Sequence, residues 1–320
     1  MKASATAYPI QGLIKYHGLR DEELRLPYHD SISVCTAPIR TLTTIEFGRR
    51  DDFAEFDGRK ANGRELERIK AVVDPLRMKA KKKSGFRMVS ENDFPSNIGL
   101  GASASAFAAL AVATASALGL EMMGVEELSR YARRGAGSAS RAVTGGFSRW
   151  YAGTSDEDSF SRLLASPDEL DMGIVCALVP AKKFTETAHR EVTTSPFFEA
   201  RIKYVVEALD KMEKAVYAHD LDRVCSLAET DTLLLHGITM TGIDELVLWR
   251  PDTVKVILEV RQMRSEGLGA YFSIDTGATV YVNCPLDERN EVRSRIERLG
   301  IETIECHVGG PATLVDEHLF

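Results

Sequence analysis

Three short runs near the N-terminus, Ile32–Thr36, Thr41–Phe47 and Phe86–Ser90, are β-branched and alternate between apolar and polar positions, as half-buried strands do. A helical stretch, residues 66–78, lies between the last two. After Phe94-Pro95 a glycine-rich segment runs straight into Ser103–Leu120, which is rich in Ala, holds no Pro and predicts a buried helix; a second helix follows over Val125–Arg133. Met172–Val179 reads as a strand. Beyond it the text changes to longer helices, so the domain boundary is set at 181/182, giving units 1–181 and 182–320. In Phe198–Tyr217 apolar residues recur at 202, 205, 206, 209, 212 and 216, close to the 3.6-residue period of a helix packed on a core. Further helices near Thr253–Ser265 and Asp287–Leu299 flank a hairpin, Ala270–Ile274 with Ala278–Asn283. Strands and helices alternate irregularly and neighbouring strands form hairpins, which favours α+β over a doubly wound sheet.

A length of 320 residues suggests two domains at about 150 residues each and leaves room for a cleft between them. The net charge of −7 and a single dense basic run, Lys79–Lys83, read as a solvated loop, argue against a nucleic-acid partner. The longest apolar stretch, Phe107–Leu120, falls short of the ~20 residues that span a bilayer. Without a membrane span or a cleavable leader in the N-terminal residues, the expected location is the cytoplasm. Five widely spaced cysteines without a CxxC pair read as reduced core thiols. Seven histidines without an HExxH or other i, i+4 pair give little support to a metal held by protein ligands alone, so a metal is expected to arrive with a ligand.

Four segments offer chemistry. Pro95–Ser105 joins glycines, small hydroxyls and a helix start, which suits a phosphate. It is not a Walker A loop, because no Gly-Lys-Ser/Thr follows, and its GxGxxA match lacks the second strand that a dinucleotide fold needs. In Arg133–Arg141 a second glycine-rich helix start carries Ser138 and Arg141 three residues apart, able to offer a hydroxyl and a guanidinium to one anion; a surface ion pair for Arg141 is the alternative. Lys15, in Ile14-Lys15-Tyr16-His17-Gly18, is either an active-site cation or a snorkelling surface chain. Asp275, in Ile274-Asp275-Thr276-Gly277, lies between apolar strands and is either functional or a turn residue capping its own backbone. A protease reading of Asp-Thr-Gly fails for want of a second such carboxylate. An acid, a lysine, a phosphate loop and a Ser/Arg cradle are together the parts of an ATP-dependent phosphoryl-transfer site.

Pro95–Ser105 resembles the phosphate-binding motif of the GHMP kinase superfamily. Ile14–Gly18, Gly135–Arg141 with Gly145-Gly146, Ser195–Phe198 and Ile274–Gly277 fall in the order and spacing of its mevalonate-pathway decarboxylases, most like the archaeal-type branch that acts on phosphomevalonate. The resemblance implies an N-terminal domain like the second domain of ribosomal protein S5, a C-terminal ferredoxin-like α/β sandwich, an active site between them, and a homodimer. It implies ATP with Mg²⁺ as cofactors, held by Gly99, Gly101, Ala102, Ser103 and Ser105, with Ser103 near the metal and Lys183 or its neighbour Lys182 reaching the nucleotide. Asp275, Lys15 and Arg141 take catalytic positions, and Tyr16, His17, Ser138 and Arg141 substrate-binding ones.

The sequence departs from the diphosphomevalonate enzymes twice. They read Lys-Tyr-Trp-Gly-Lys where this chain has Lys15–Leu19, and Ala136 replaces a serine of their substrate loop. Loss of a cation and a hydroxyl fits a monophosphate substrate. The implied reaction is ATP-dependent decarboxylation of (R)-5-phosphomevalonate to isopentenyl phosphate. The alternatives are a diphosphomevalonate decarboxylase, an ATP-independent decarboxylase of mevalonate 3,5-bisphosphate, a small-molecule kinase of the same superfamily, and a non-catalytic regulator binding a phosphorylated metabolite.

Overall fold

A computed structural model describes residues 1–96, 98–181 and 185–320. The chain opens with β1 (Lys2–Ala7), β2 (Ile10–Ile14) and a small hairpin, β3 (Leu19–Asp21) with β4 (Leu26–Pro27). Next come β5 (Ser31–Ala37), β6 (Thr41–Arg49), β7 (Phe53–Phe56), β8 (Arg59–Lys60), helix α1 (Gly63–Lys79) and β9 (Gly85–Asn92). Helices α2 (Ala102–Ala117), α3 (Val125–Gly135) and α4 (Ala139–Thr144) lead into β10 (Phe147–Trp150), β11 (Ser161–Ala165) and β12 (Met172–Ala177). The remainder holds α5 (Thr185–Glu191), α6 (Phe198–Tyr217), α7 (Leu221–Met240), α8 (Pro251–Ser265), the hairpin β13 (Tyr271–Ser273) and β14 (Val280–Pro285), α9 (Arg289–Glu297), β15 (Thr303–Val308) and β16 (Thr313–Val315).

Local chemistry accounts for the helix starts. Asn62 and Glu65 form a reciprocal capping box that opens α1, while Pro251 sits in the first turn of α8, where its missing N–H costs nothing. The alanines of α2 let it lie among neighbours on every side: it packs on β1 and β6 of a six-stranded sheet, ordered β16-β1-β6-β9-β7-β8, and against α1, α3 and α4. The second sheet runs β11-β10-β5-β15-β12-β14-β13, with β2 also paired to β5. Ile174 and Cys176 of β12 face the core under α6 and α7, while Val175 and Ala177 face the one under α8 and α9. Burial on both faces explains why Met172–Ala177 is an unbroken apolar run.

The α+β class expected from the sequence holds. Across the expected boundary at 181/182, β12 pairs with β14 and β15, and β5 with β15. All five cysteines are buried and free, and Lys81–Lys83 are exposed. Among the described residues no helix is long and apolar enough to cross a membrane, and no group of three His, Cys, Asp or Glu is placed to hold a metal.

Helix α7 is the main element that the hydrophobic pattern leaves unmarked. Its buried face, Val224, Leu227, Ala228 and Leu235, continues through Asp231 and Thr232, and its exposed face carries Leu233 and Leu234. Polar residues inside and leucines outside blur the period.

Candidate active site

The glycine loop ends in a left-handed residue. Gly101 is the N-cap of α2 at φ +75°, and a Cβ there would lie 2.9 Å from the Ile10 carbonyl oxygen, so the loop needs glycine for both conformation and space. Among the described residues no side chain caps the helix, and its first turn is left able to bind an anion. Gly99 and Gly101 line the cleft described below, and Ser103 is half-buried beside it. Ser105 stands elsewhere. Two residues on from Ser103 it is turned away around the helix, fully buried, with its hydroxyl 2.6 Å from that of Thr41. Lys182 and Lys183 lie outside the described residues.

Lys15 is not a snorkelling surface chain. It lies just past the end of β2 and is 4% exposed; its Nζ donates to the Thr232 hydroxyl at 2.9 Å and sits 3.9 Å from Asp231. Its backbone N–H donates to the same Asp231 carboxylate at 2.9 Å, and Arg201 of α6 pairs with Asp231 at 2.6 Å while donating to the Lys15 carbonyl. Burial lowers the Lys15 pKa, and Asp231 and then Asp275 oppose the shift. Asp231→Ala leaves two buried cations without their counter-ion, so it is expected to destabilise the fold by about 3–5 kcal/mol; urea unfolding of the variant measures this.

Asp275 lies in the turn between β13 and β14. Its carboxylate accepts from the backbone N–H of Gly12, at 3.1 and 3.2 Å to its two oxygens. Tyr281 of β14 donates its hydroxyl to the Gly99 carbonyl at 3.1 Å, which ties this hairpin to the glycine loop. Beside Asp275, Thr276 shares a 2.8 Å hydrogen bond with Nε2 of His17, whose pKa burial pushes well below its ordinary value.

Arg141 is also interior, not part of a surface ion pair. It is 2% exposed, donates to the Ser31 hydroxyl, and its guanidinium lies 5.5 Å and 5.7 Å from the ring centres of Tyr16 and Trp150. Burial lowers its pKa to about 10, still far above neutrality. It has no ion pair with a described carboxylate, so it is a buried cation suited to an anionic ligand. Ser138 is the N-cap of α4, and the two residues line one space as their spacing predicts.

That space is a cleft of about 600 Å³ lined by Ile10, Gly12, Lys15, Tyr16, His17, Gly99, Gly101, Ser138, Arg141, His189, Asp275 and Thr276. It draws residues from both ends of the chain to the start of α2. Through Tyr16, Gly101, Ser138 and His189 it continues into a second cavity bearing Arg25, Arg64, Arg68 and Glu186. Ser103 and Arg68 are shared in turn with a third, lined also by Phe56, Asp57, Asn92 and Phe107. His189, which the sequence did not single out, stacks on Tyr16 and accepts from the Gly18 N–H at Nδ1. Asp231, Thr232 and Arg201 were missed as well. The signal for the first two was present: positions 224, 227, 228, 231, 232 and 235 keep the helical period, which places an acid and a threonine on a buried stripe.

Comparison with known proteins agrees with this geometry. Residues 7–161 match the family model of the diphosphomevalonate decarboxylase-like N-terminal domain. The phosphomevalonate decarboxylase of Haloferax volcanii is 48% identical over 320 residues, covering 99% of this chain and 98% of that protein. Mevalonate diphosphate decarboxylase from Staphylococcus aureus superposes with a TM-score of 0.92 at 28% identity, over 98% of each chain. The Enterococcus faecalis enzyme in complex with MVAPP, AMPPCP and magnesium gives 0.91 at 28% identity, over 99% of each. The chain belongs to the diphosphomevalonate decarboxylase-like family, of the GHMP type.

Proposed function

We propose that the protein catalyses ATP + (R)-5-phosphomevalonate → isopentenyl phosphate + ADP + phosphate + CO₂. The observation that carries this reading is the meeting of Asp275, anchored on the Gly12 N–H, with Lys15, Arg141 and the uncapped start of α2 around one cleft. The Haloferax volcanii phosphomevalonate decarboxylase, matched along nearly its whole length, supports the choice of substrate. Ala136 is buried in the turn between α3 and α4 and offers no hydroxyl, which suits a single phosphate.

The glycine loop fits a nucleotide phosphate, since the left-handed Gly101 opens α2 without a side-chain cap and leaves first-turn N–H groups for an anion. On this reading Gly99, Gly101, Ala102 and Ser103 hold Mg-ATP, which supplies the phosphoryl group that makes the tertiary 3-hydroxyl a leaving group. Ser105 contributes by fastening the first turn of α2 to Thr41. Asp275 orients the 3-hydroxyl and takes its proton. Lys15, its amine fixed by Thr232, aims the substrate carboxylate; binding it too tightly would oppose loss of CO₂, so orientation is its main contribution. Arg141 and Ser138 hold the substrate's negative charge, with Tyr16 and His17 as walls. As the C–C bond to the carboxyl breaks, its electron pair moves toward C3 while the 3-phosphate departs, leaving the double bond of the product. The same reading makes the protein a cytoplasmic homodimer, which sedimentation velocity and cell fractionation test.

The deciding assay follows CO₂ and ADP release from 5-phosphomevalonate, 5-diphosphomevalonate and mevalonate 3,5-bisphosphate, each with and without Mg-ATP. Equal CO₂ and ADP from the monophosphate is the expected result. CO₂ from the bisphosphate without ATP, ADP without CO₂, or no nucleotide-dependent turnover would each replace the proposal, with an ATP-independent decarboxylase, a kinase and a regulator respectively.

A further inference from the structure

The cavity next to the reacting cleft contains a charge arrangement that the reaction itself does not need. It is open to solvent and larger than the cleft itself, so size alone does not limit a substrate tail that passes Tyr16 and Ser138 into it. Its charged lining among the described residues is Arg25, Arg64, Arg68 and Glu186. Glu186 bridges two of the cations: one carboxylate oxygen accepts from Arg25 at 3.0 Å and the other lies 3.6 Å from Arg64. Arg68 is held separately, its Nε donating to the Gly135 carbonyl at 2.8 Å and its guanidinium lying over the Phe107 ring. Among the described residues, three guanidiniums less one carboxylate leave two positive charges. A single phosphate monoester, at about −1.5 to −2, matches that charge. A second phosphate would exceed it and would meet the Glu186 carboxylate where it needs Arg25 and Arg64.

We infer that Glu186 is a specificity-determining residue: its carboxylate already occupies the two arginines that a terminal phosphate would need, and so admits a 5-monophosphate while rejecting a 5-diphosphate. The inference deepens the function proposed above and rests on it for the identity of the substrate. Its physical basis is a repulsive group set against the wrong ligand, which discriminates without any added contact to the right one. Glu186 is partly exposed, on the short helix α5, so replacing it does not open the core. Burial works against its charge, yet Arg25 and Arg68 keep its pKa below the ordinary glutamate value, and it remains an anion at neutral pH.

The test compares wild type with E186Q, which keeps the side chain's shape and its hydrogen bond to Arg25. kcat/KM for 5-phosphomevalonate and 5-diphosphomevalonate is followed by CO₂ release, and binding of each without nucleotide is measured by calorimetry. In E186Q the diphosphate-to-monophosphate ratio should rise by at least about tenfold, chiefly through the KM and Kd of the diphosphate. A ratio within twofold of wild type, or an equal change for both substrates, overturns the inference. E186A serves as the second variant if E186Q loses its thermal transition. If wild type releases no CO₂ from 5-phosphomevalonate, the functional reading fails, and the calorimetric ratio for the two probes still decides whether Glu186 discriminates between them.

Discussion

Asp275→Asn lowers kcat by about 10²–10⁴-fold while leaving ATP affinity within a few-fold of wild type, the range expected for removing a positioned general base. The replacement is nearly isosteric, and the amide oxygen still accepts from the Gly12 N–H, so the turn between β13 and β14 keeps its anchor. What disappears is the negative charge and the capacity to take a proton. The charge also acts on its neighbours: the carboxylate raises the pKa values of both Lys15 and Arg141, against the larger effect of burial. Burial and the lost carboxylate then both lower the Lys15 pKa, so the variant's alkaline limit of substrate binding should shift downward. Nucleotide binding rests on the glycine loop and the start of α2, which the substitution does not touch. Single-turnover CO₂ release, paired with direct titration of ATP, separates the two. A variant that keeps most of its turnover would remove Asp275 from the chemistry, and one that loses nucleotide binding equally would make it a structural residue.

The features legible in the sequence are those that local rules enforce. The glycine loop could be read because a left-handed backbone at a helix start admits few other residues, and Gly101 fills that position. The Ser138 and Arg141 pair could be read because three residues along a helix bring two side chains to one face. The same geometry explains the misplacement of Ser105: the family resemblance set it beside Ser103 on the nucleotide, but a step of two turns the side chain into the core. Lys15 could not be resolved from its own neighbourhood, because its solvation is set by Asp231 and Thr232, more than two hundred residues away, on a helix whose polar stripe is turned inward. The Glu186 bridge to Arg25 and Arg64 was equally out of reach, since three separate segments supply it.

The link between Gly12 and Asp275 is the longest-range contact in the site, and Gly12→Ala tests it directly. A Cβ on Gly12 would lie 2.7 Å from Cγ of Lys15, closer than real side chains tolerate, and 3.0 Å from Oδ1 of Asp275, tight enough that the carboxylate must give by a few tenths of an ångström. The Lys15 amine is fixed by Thr232 and Asp231, and Asp275 follows β13, the edge strand of its sheet, so the added methyl group pushes on the lysine stem and on the carboxylate together. It moves the general base relative to the lysine and lengthens the Gly12 N–H contact that orients it. Overpacking of this kind costs about 1–3 kcal/mol of stability, which leaves a folded protein with a modestly lowered Tm. A displacement near 1 Å in a catalytic group is enough for a loss of about 10²-fold in kcat. The expected pattern is therefore a large fall in turnover with a small fall in Tm and ATP affinity retained, measured by CO₂ release, thermal unfolding and nucleotide titration. Turnover near the wild-type value would show that the cleft accommodates the methyl group, and that the spacing between Lys15 and Asp275 does not limit the reaction.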